Sequence, residues 1–115
     1  MINSKTSPQE ISPKQLFEAL KNKNVAVLDV RESEELEYSS IPNSIHIPLM
    51  SLHEKLDIWS KKVEEAEIAV VICRGGVRSQ MAIDLLEQNG VHGCLNLVGG
   101  INAFAEKTDS GIDTY

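Results

Sequence analysis

Long apolar runs, an excess of basic residues and a cysteine framework are all missing from this sequence, and each absence closes off a class of protein. The longest uninterrupted apolar stretch, Ile68 to Cys73, falls far short of the roughly 20 residues that cross a bilayer. The opening Met1 to Glu10 is polar with one lysine and no apolar centre, so it does not resemble a signal peptide. Eleven Lys and Arg against 17 Asp and Glu leave a formal net charge of -6. The chain as a whole therefore offers no attraction to nucleic acid or to an anionic membrane, and any anion it binds must be held by a local set of donors. Two cysteines, Cys73 and Cys94, are too few for a disulfide framework. Neither they nor His46, His53 and His92 stand at metal-ligand spacing, so nothing calls for a metal or a cofactor. The expected setting is a soluble, reducing, cytoplasmic one in which Cys73 stays a thiol.

What remains is ordinary globular material. Of 115 residues, 42% are hydrophobic and 24% charged, enough for one continuous core without a staple. One domain over residues 11–115 is expected, preceded by a flexible arm over 1–10. Ser12, Pro13 and Gln15 form a helix start with a capping box, Ile11 and Leu16 are spaced as a hydrophobic staple, and Leu16, Phe17 and Leu20 make the inner stripe. Val25 to Val30 reads as a buried strand, and the acidic residues 32–40 as one or two helical turns. Pro42 and Pro48 confine the segment between them to a short or edge strand. Residues 49–66 are helical but broken, with Leu49, Leu52, Leu56 and Trp59 facing inward. Ile68 to Ile72 is the most β-like run and is expected to be central. After it comes a helix with Met81, Ala82, Leu85 and Leu86 on one side, then a strand over Leu95 to Val98 and a helix from Ile101. Strands alternating with helices predict an α/β fold: a central, mostly parallel sheet with helices on both faces. Ligands in such sheets bind at the carboxyl ends of the strands.

Cys73 stands at one of those ends, opening the segment Cys73-Arg74-Gly75-Gly76-Val77-Arg78-Ser79. Two glycines let the backbone curl, and the chain then enters a helix whose first N–H groups have no internal partner. Such N–H groups, curled round a sulfur, form a nest for negative charge and favour a thiolate. Arg74 and Arg78 add planar donor forks suited to oxyanions. Cations at a helix N-terminus oppose its dipole, so their presence there asks for a compensating anion. A cysteine at the end of a core strand is ordinarily structural, but glycines and arginines around this one favour a nucleophile. Arg74, Gly75, Gly76, Val77 and Arg78 then become the residues that bind its substrate. Asp29 and Arg31 lie at a strand end and could line the mouth of the site, while Cys94 is expected to pack as a small apolar residue and Glu32 to Glu37 to form a solvated face.

Four segments together resemble the rhodanese family of single-domain sulfurtransferases. Leu28-Asp29-Val30-Arg31 with Glu34-Glu35 is similar to the family's first strand and acidic turn, and Ile41-Pro42 through Ile47-Pro48 to its proline-flanked segment. Cys73 to Ser79 closely resembles its active-site loop, and Leu97-Val98-Gly99-Gly100-Ile101-Asn102-Ala103-Phe104 its closing motif. Ser39, Ser40, Asn43 and Ser44 depart from the usual Gly, His, Gly and Ala, and Phe104 from the usual Trp, so local backbone differences are expected there. The resemblance implies a rhodanese-like fold, Asp29 and Arg31 as mutual structural partners, and a Cys73 persulfide, formed from a small anionic donor such as thiosulfate or from a protein persulfide partner. A thiol or cyanide would then accept the sulfur. Cysteine-loop phosphatases and arsenate reductases place their arginine one position later, where this chain has Ser79, so that class is disfavoured. A non-enzymatic binding module is the other alternative; relatives of that kind typically lose the cysteine that this chain keeps.

Overall fold

The structure, a computed structural model, describes residues 9–115. Its centre is the pairing of two β-branched runs, β2 (Val25–Asp29) and β4 (Ile68–Ile72), which lie parallel from Val25 opposite Ile68 to Asp29 opposite Ile72. Around them β1 (Glu10–Ile11), β3 (Ile45–His46) and β5 (Leu95–Leu97) complete a five-stranded sheet of order β1-β5-β4-β2-β3, with every pair parallel. Side chains alternate across β4. Ala69, Val71 and Cys73 join one apolar layer with Leu52, Trp59, Ala82 and Leu86, while Val70 and Ile72 join the other with Leu16, Ile101 and Phe104. The first layer is roofed by a 3₁₀ helix (Leu49–Lys55), α3 (Leu56–Glu65) and α4 (Val77–Gln88), the second by α1 (Pro13–Asn22) and α5 (Gly100–Lys107); a single turn, α2 (Ser33–Leu36), carries the acidic run. The sheet with helices on both faces is the one expected from the sequence.

Local signals account for most boundaries. The Ser12 hydroxyl accepts from the Gln15 N–H at 3.1 Å and the Gln15 side chain accepts from the Ser12 N–H at 2.9 Å, closing the capping box. Ile11 and Leu16 are both buried, as a staple requires. Three expectations shift. The arm assigned to residues 1–10 lies outside the described residues up to position 8, whereas Glu10 belongs to β1, because the β5 edge offers free donors: Asn96 N–H donates to the Gln9 carbonyl at 2.9 Å. Leu20 is 36% exposed instead of buried. The inner face of α4 is Ser79, Ala82, Ile83 and Leu86, leaving Met81 outside; the Ser79 amide and hydroxyl are held against the Cys73 sulfur, and this turns the helix. At Asn43 the backbone takes φ 66°, a left-handed conformation that asparagine tolerates better than most residues.

The carboxyl end of β4 is clamped from across the sheet. Ile101 N–H donates to the Cys73 carbonyl at 2.9 Å and Asn102 N–H to the Arg74 carbonyl at 3.3 Å, so the open N-terminus of α5 satisfies the start of the loop. Only glycine fits at position 100. Its φ is 67°, and a Cβ there would press on the Arg74 carbonyl and lie 2.6 Å from the Cys73 oxygen. Gly93, with φ 86° and nothing near its own would-be Cβ, isolates the conformational part of the cost. Gly100→Ala is therefore expected to lower the melting temperature by about 5 °C or more beyond Gly93→Ala, measured by thermal denaturation. Equal losses would mean that the close approach is relieved at no cost.

Candidate active site

Cys73 is 1% exposed, and its sulfur is held by the loop that follows it. Gly76 N–H donates to Sγ at 3.0 Å and Ser79 N–H at 3.3 Å, and the Ser79 hydroxyl lies 3.3 Å away. Gly76 caps α4 with φ 108°, a conformation that aims its amide back at the strand. Among the described residues two backbone amides, those of Gly76 and Ser79, donate to Sγ. Donors fixed before any charge develops stabilise an anion without reorganising.

The arginines are placed differently from what the loop sequence suggests. Arg78 makes a two-pronged pair with Glu35, Nη1 to Oε2 at 2.6 Å and Nη2 to Oε1 at 2.8 Å. The Arg78 hydrogen bonds hold the Glu35 carboxyl well below its usual 4.5, at about 2. The local excess of positive charge around Cys73 is thus half cancelled by an acid from another element. Arg74 lies over the ring of Tyr115 at 4.7 Å, and its Nη2 donates to the Tyr115 backbone oxygen. Tyr115 also stacks on Tyr38 with ring centroids 5.4 Å apart, and its hydroxyl donates to Glu35 at 2.8 Å.

Asp29 and Arg31 pair as expected, with neither side chain exposed; Arg31 Nη2 is 2.7 Å from Asp29 Oδ2. Cys94 is buried in the layer that holds Trp59, and burial pushes its thiol up. Glu35 lies in the run expected to be a solvated face, and its role was within reach of the sequence only through its place in the first-strand segment. Asn96 was missed as well. Its signal is a lone amide between Leu95 and Leu97, in a strand buried on both sides. Among the described residues no three His, Cys, Asp or Glu side chains gather as a metal site, and no helix is long and apolar enough to cross a membrane.

A parallel sheet with a cysteine-bearing, glycine-rich curl at the end of its central strand defines a rhodanese-like domain. The chain belongs to that family: the Rhodanese-like domain model matches residues 12–107. It is similar to a rhodanese-related protein from Thermoplasma volcanium, with 38% identity and a TM-score of 0.73 over 86% of this chain and 92% of that one. A rhodanese-like domain protein from Staphylococcus aureus gives 32% identity and a TM-score of 0.75 over 93% and 98%. Among curated relatives, the adenylyltransferase and sulfurtransferase MOCS3-2 of Zea mays is 35% identical over 77% of this chain. The putative sulfur carrier protein YrkF of Bacillus subtilis is 32% identical over 84%. The chain spans 19% of the first relative's length and 53% of the second's.

The Glu35 ion pair has a signature in acid. A carboxyl lowered from 4.5 to about 2 stabilises the fold in its ionised form. That contribution is complete above the unfolded value and is lost as the pH falls towards the folded one. Urea midpoints taken from about pH 6 down to about pH 2 should therefore fall more steeply for the wild type than for Glu35→Gln, the two curves converging at the acid end. Parallel curves would show that the pair contributes nothing to stability.

Proposed function

We propose that this domain is a sulfurtransferase that carries a sulfane sulfur on Cys73, working in a reducing, cytoplasmic setting. The observation that supports it most directly is the Cys73 sulfur at the end of the central strand, met by the Gly76 and Ser79 amides at 3.0 and 3.3 Å. The Cys73 thiolate attacks the outer sulfur of thiosulfate or of a persulfide. The donor's S–S bond breaks, sulfite or a thiolate leaves with its electron pair, and Cys73 keeps the sulfur as a persulfide. An acceptor thiolate or cyanide then attacks that outer sulfur, and Cys73 departs as a thiolate. The amides of residues 74 to 78 curl round the place the outer sulfur takes, as an oxyanion hole does for oxygen. The relatives named for sulfur transfer and sulfur carriage support this reading, and they make a protein persulfide partner a natural donor or acceptor beside small molecules.

Arg74 is the exposed cation at the mouth, and it guides an anionic donor once it leaves the Tyr115 ring. A cation–π contact at an exposed site is worth about 0.5–1 kcal/mol. Tyr115→Ala is thus expected to speed persulfide formation from thiosulfate about 2–5-fold in single-turnover kinetics. An unchanged or slower rate would mean that Tyr115 does not compete with the donor.

Intact-protein mass spectrometry after incubation with thiosulfate tests the whole reading. The wild type should gain about 32 Da, one sulfur, and lose it to cyanide; Cys73→Ser should gain nothing and Cys94→Ser should behave as the wild type. No gain from thiosulfate or from glutathione persulfide would leave a binding module. A loss in Cys94→Ser equal to that in Cys73→Ser would overturn the structural role of Cys94.

A further inference from the structure

Asn96 is 6% exposed on β5, and both ends of its amide are engaged. Its Nδ2 donates to the Gly76 carbonyl at 3.1 Å and to the Gln80 side-chain oxygen at 3.3 Å. A carbonyl oxygen only accepts, so the Gly76 carbonyl fixes which way the amide points. Oδ1 is left facing the Ser79 hydroxyl, which donates to it at 2.5 Å. That hydroxyl has one proton. Committed to Asn96, it turns only lone pairs towards the Cys73 sulfur 3.3 Å away.

The bonds form a ring. With the Ser79 proton on Asn96, the donor left for the Cys73–Ser79 contact is the thiol; Asn96 donates to the Gly76 carbonyl, and the Gly76 amide donates back to the sulfur. The ring suits a protonated sulfur and does not suit an anionic one. When the thiol loses its proton to solvent, or the sulfur carries a persulfide, Sγ has nothing to donate and needs one more donor. Rotation about the Ser79 Cβ–Oγ bond supplies it, and the bond to Asn96 is given up.

We infer that Asn96 is a positioning residue that, through the single proton of Ser79, holds the Cys73 sulfur towards its thiol form at rest and frees a third donor for it once it is anionic. The Gly76 and Ser79 amides always favour the anion; the hydroxyl alone changes sides. This inference rests on Cys73 being the nucleophile, but it concerns the free thiol and not the transfer of sulfur.

The test is the pH dependence of Cys73 alkylation by iodoacetamide, followed by mass spectrometry in a Cys94→Ser background. Asn96→Leu leaves the Ser79 hydroxyl free to serve the thiolate, so the pH of half-maximal alkylation should fall by about 0.5–1 unit. In Ser79→Ala the same Asn96→Leu change should produce no shift, because there is no proton to redirect. A shift that persists without the hydroxyl, or one in the upward direction, would show that Asn96 acts only by holding Gly76, and would overturn the inference. Should Asn96→Leu fail to fold by circular dichroism, nuclear magnetic resonance of the wild type decides. The Ser79 hydroxyl proton should show a cross-peak to the Asn96 side chain in the free protein and lose it on persulfide loading; a proton that stays put in both states overturns the inference. Because alkylation needs no sulfur donor, this outcome is independent of whether thiosulfate loads Cys73.

Discussion

The buried guanidinium of Arg31 is the constraint on which the rest of this site depends. It is wholly enclosed at the end of β2, and each of its N–H groups is used. Nε and Nη2 grip Asp29 at 2.9 and 2.7 Å, and Nη2 also donates to the Ser39 carbonyl at 2.8 Å. Nη1 reaches the Tyr115 hydroxyl at 2.9 Å and the Glu35 carbonyl at 3.4 Å. Burial alone would disfavour the charge, but the bonds to Asp29 and Tyr115 outweigh it and hold the group protonated. A lysine has neither the planar fork nor enough donors for this set. One side chain thereby pins the acidic turn that follows β2, and with it the carboxylate that meets Arg78.

From that anchor the charge balance of the site follows. The loop after Cys73 supplies two arginines, and the turn after β2 returns one negative charge to them through Glu35. A fully uncompensated pair of guanidinium groups at a helix start would repel each other and oppose the helix dipole. Pairing Arg78 with Glu35 offsets that cost, and Arg74 lies outside it against Tyr115. The electrostatics are then graded: an ion pair between Arg78 and Glu35, a second guanidinium held on Tyr115, and neutral amides against the sulfur itself.

What the sequence made legible was what lies close together in it. The strand, curl and helix from Ile68 to Gln88 are one continuous stretch whose chemistry depends on neighbours a few positions apart, so Cys73, Gly76 and the strand end could be located in advance. The alternation of strands and helices likewise carried the layer arrangement. Partners separated by long loops were not legible. Glu35 lies 43 positions from Arg78 and Tyr115 lies 80 from Glu35, and their meeting depends on the order in which the strands are laid side by side. Met81 was misplaced for a related reason. An apolar side chain at helical spacing was expected to face the core, but the face of α4 is chosen by Ser79, which must point at the sulfur.

The same logic explains why a polar residue survives in β5. In a parallel strand covered on both sides, Asn96 forfeits hydrophobic burial and must find partners for its amide away from water. It does so against the Gly76 carbonyl, the Gln80 side chain and the Ser79 hydroxyl, three groups that all belong to the curl or the first turn of α4. A leucine in its place would leave the Gly76 carbonyl without that donor and the Ser79 proton without direction. The two glycine-rich turns meet at the same point: α5 holds the outside of the loop through the Cys73 and Arg74 carbonyls, and β5 holds the inside through Asn96. The sulfur is thus positioned by two backbone amides and one hydroxyl, groups that carry no net charge.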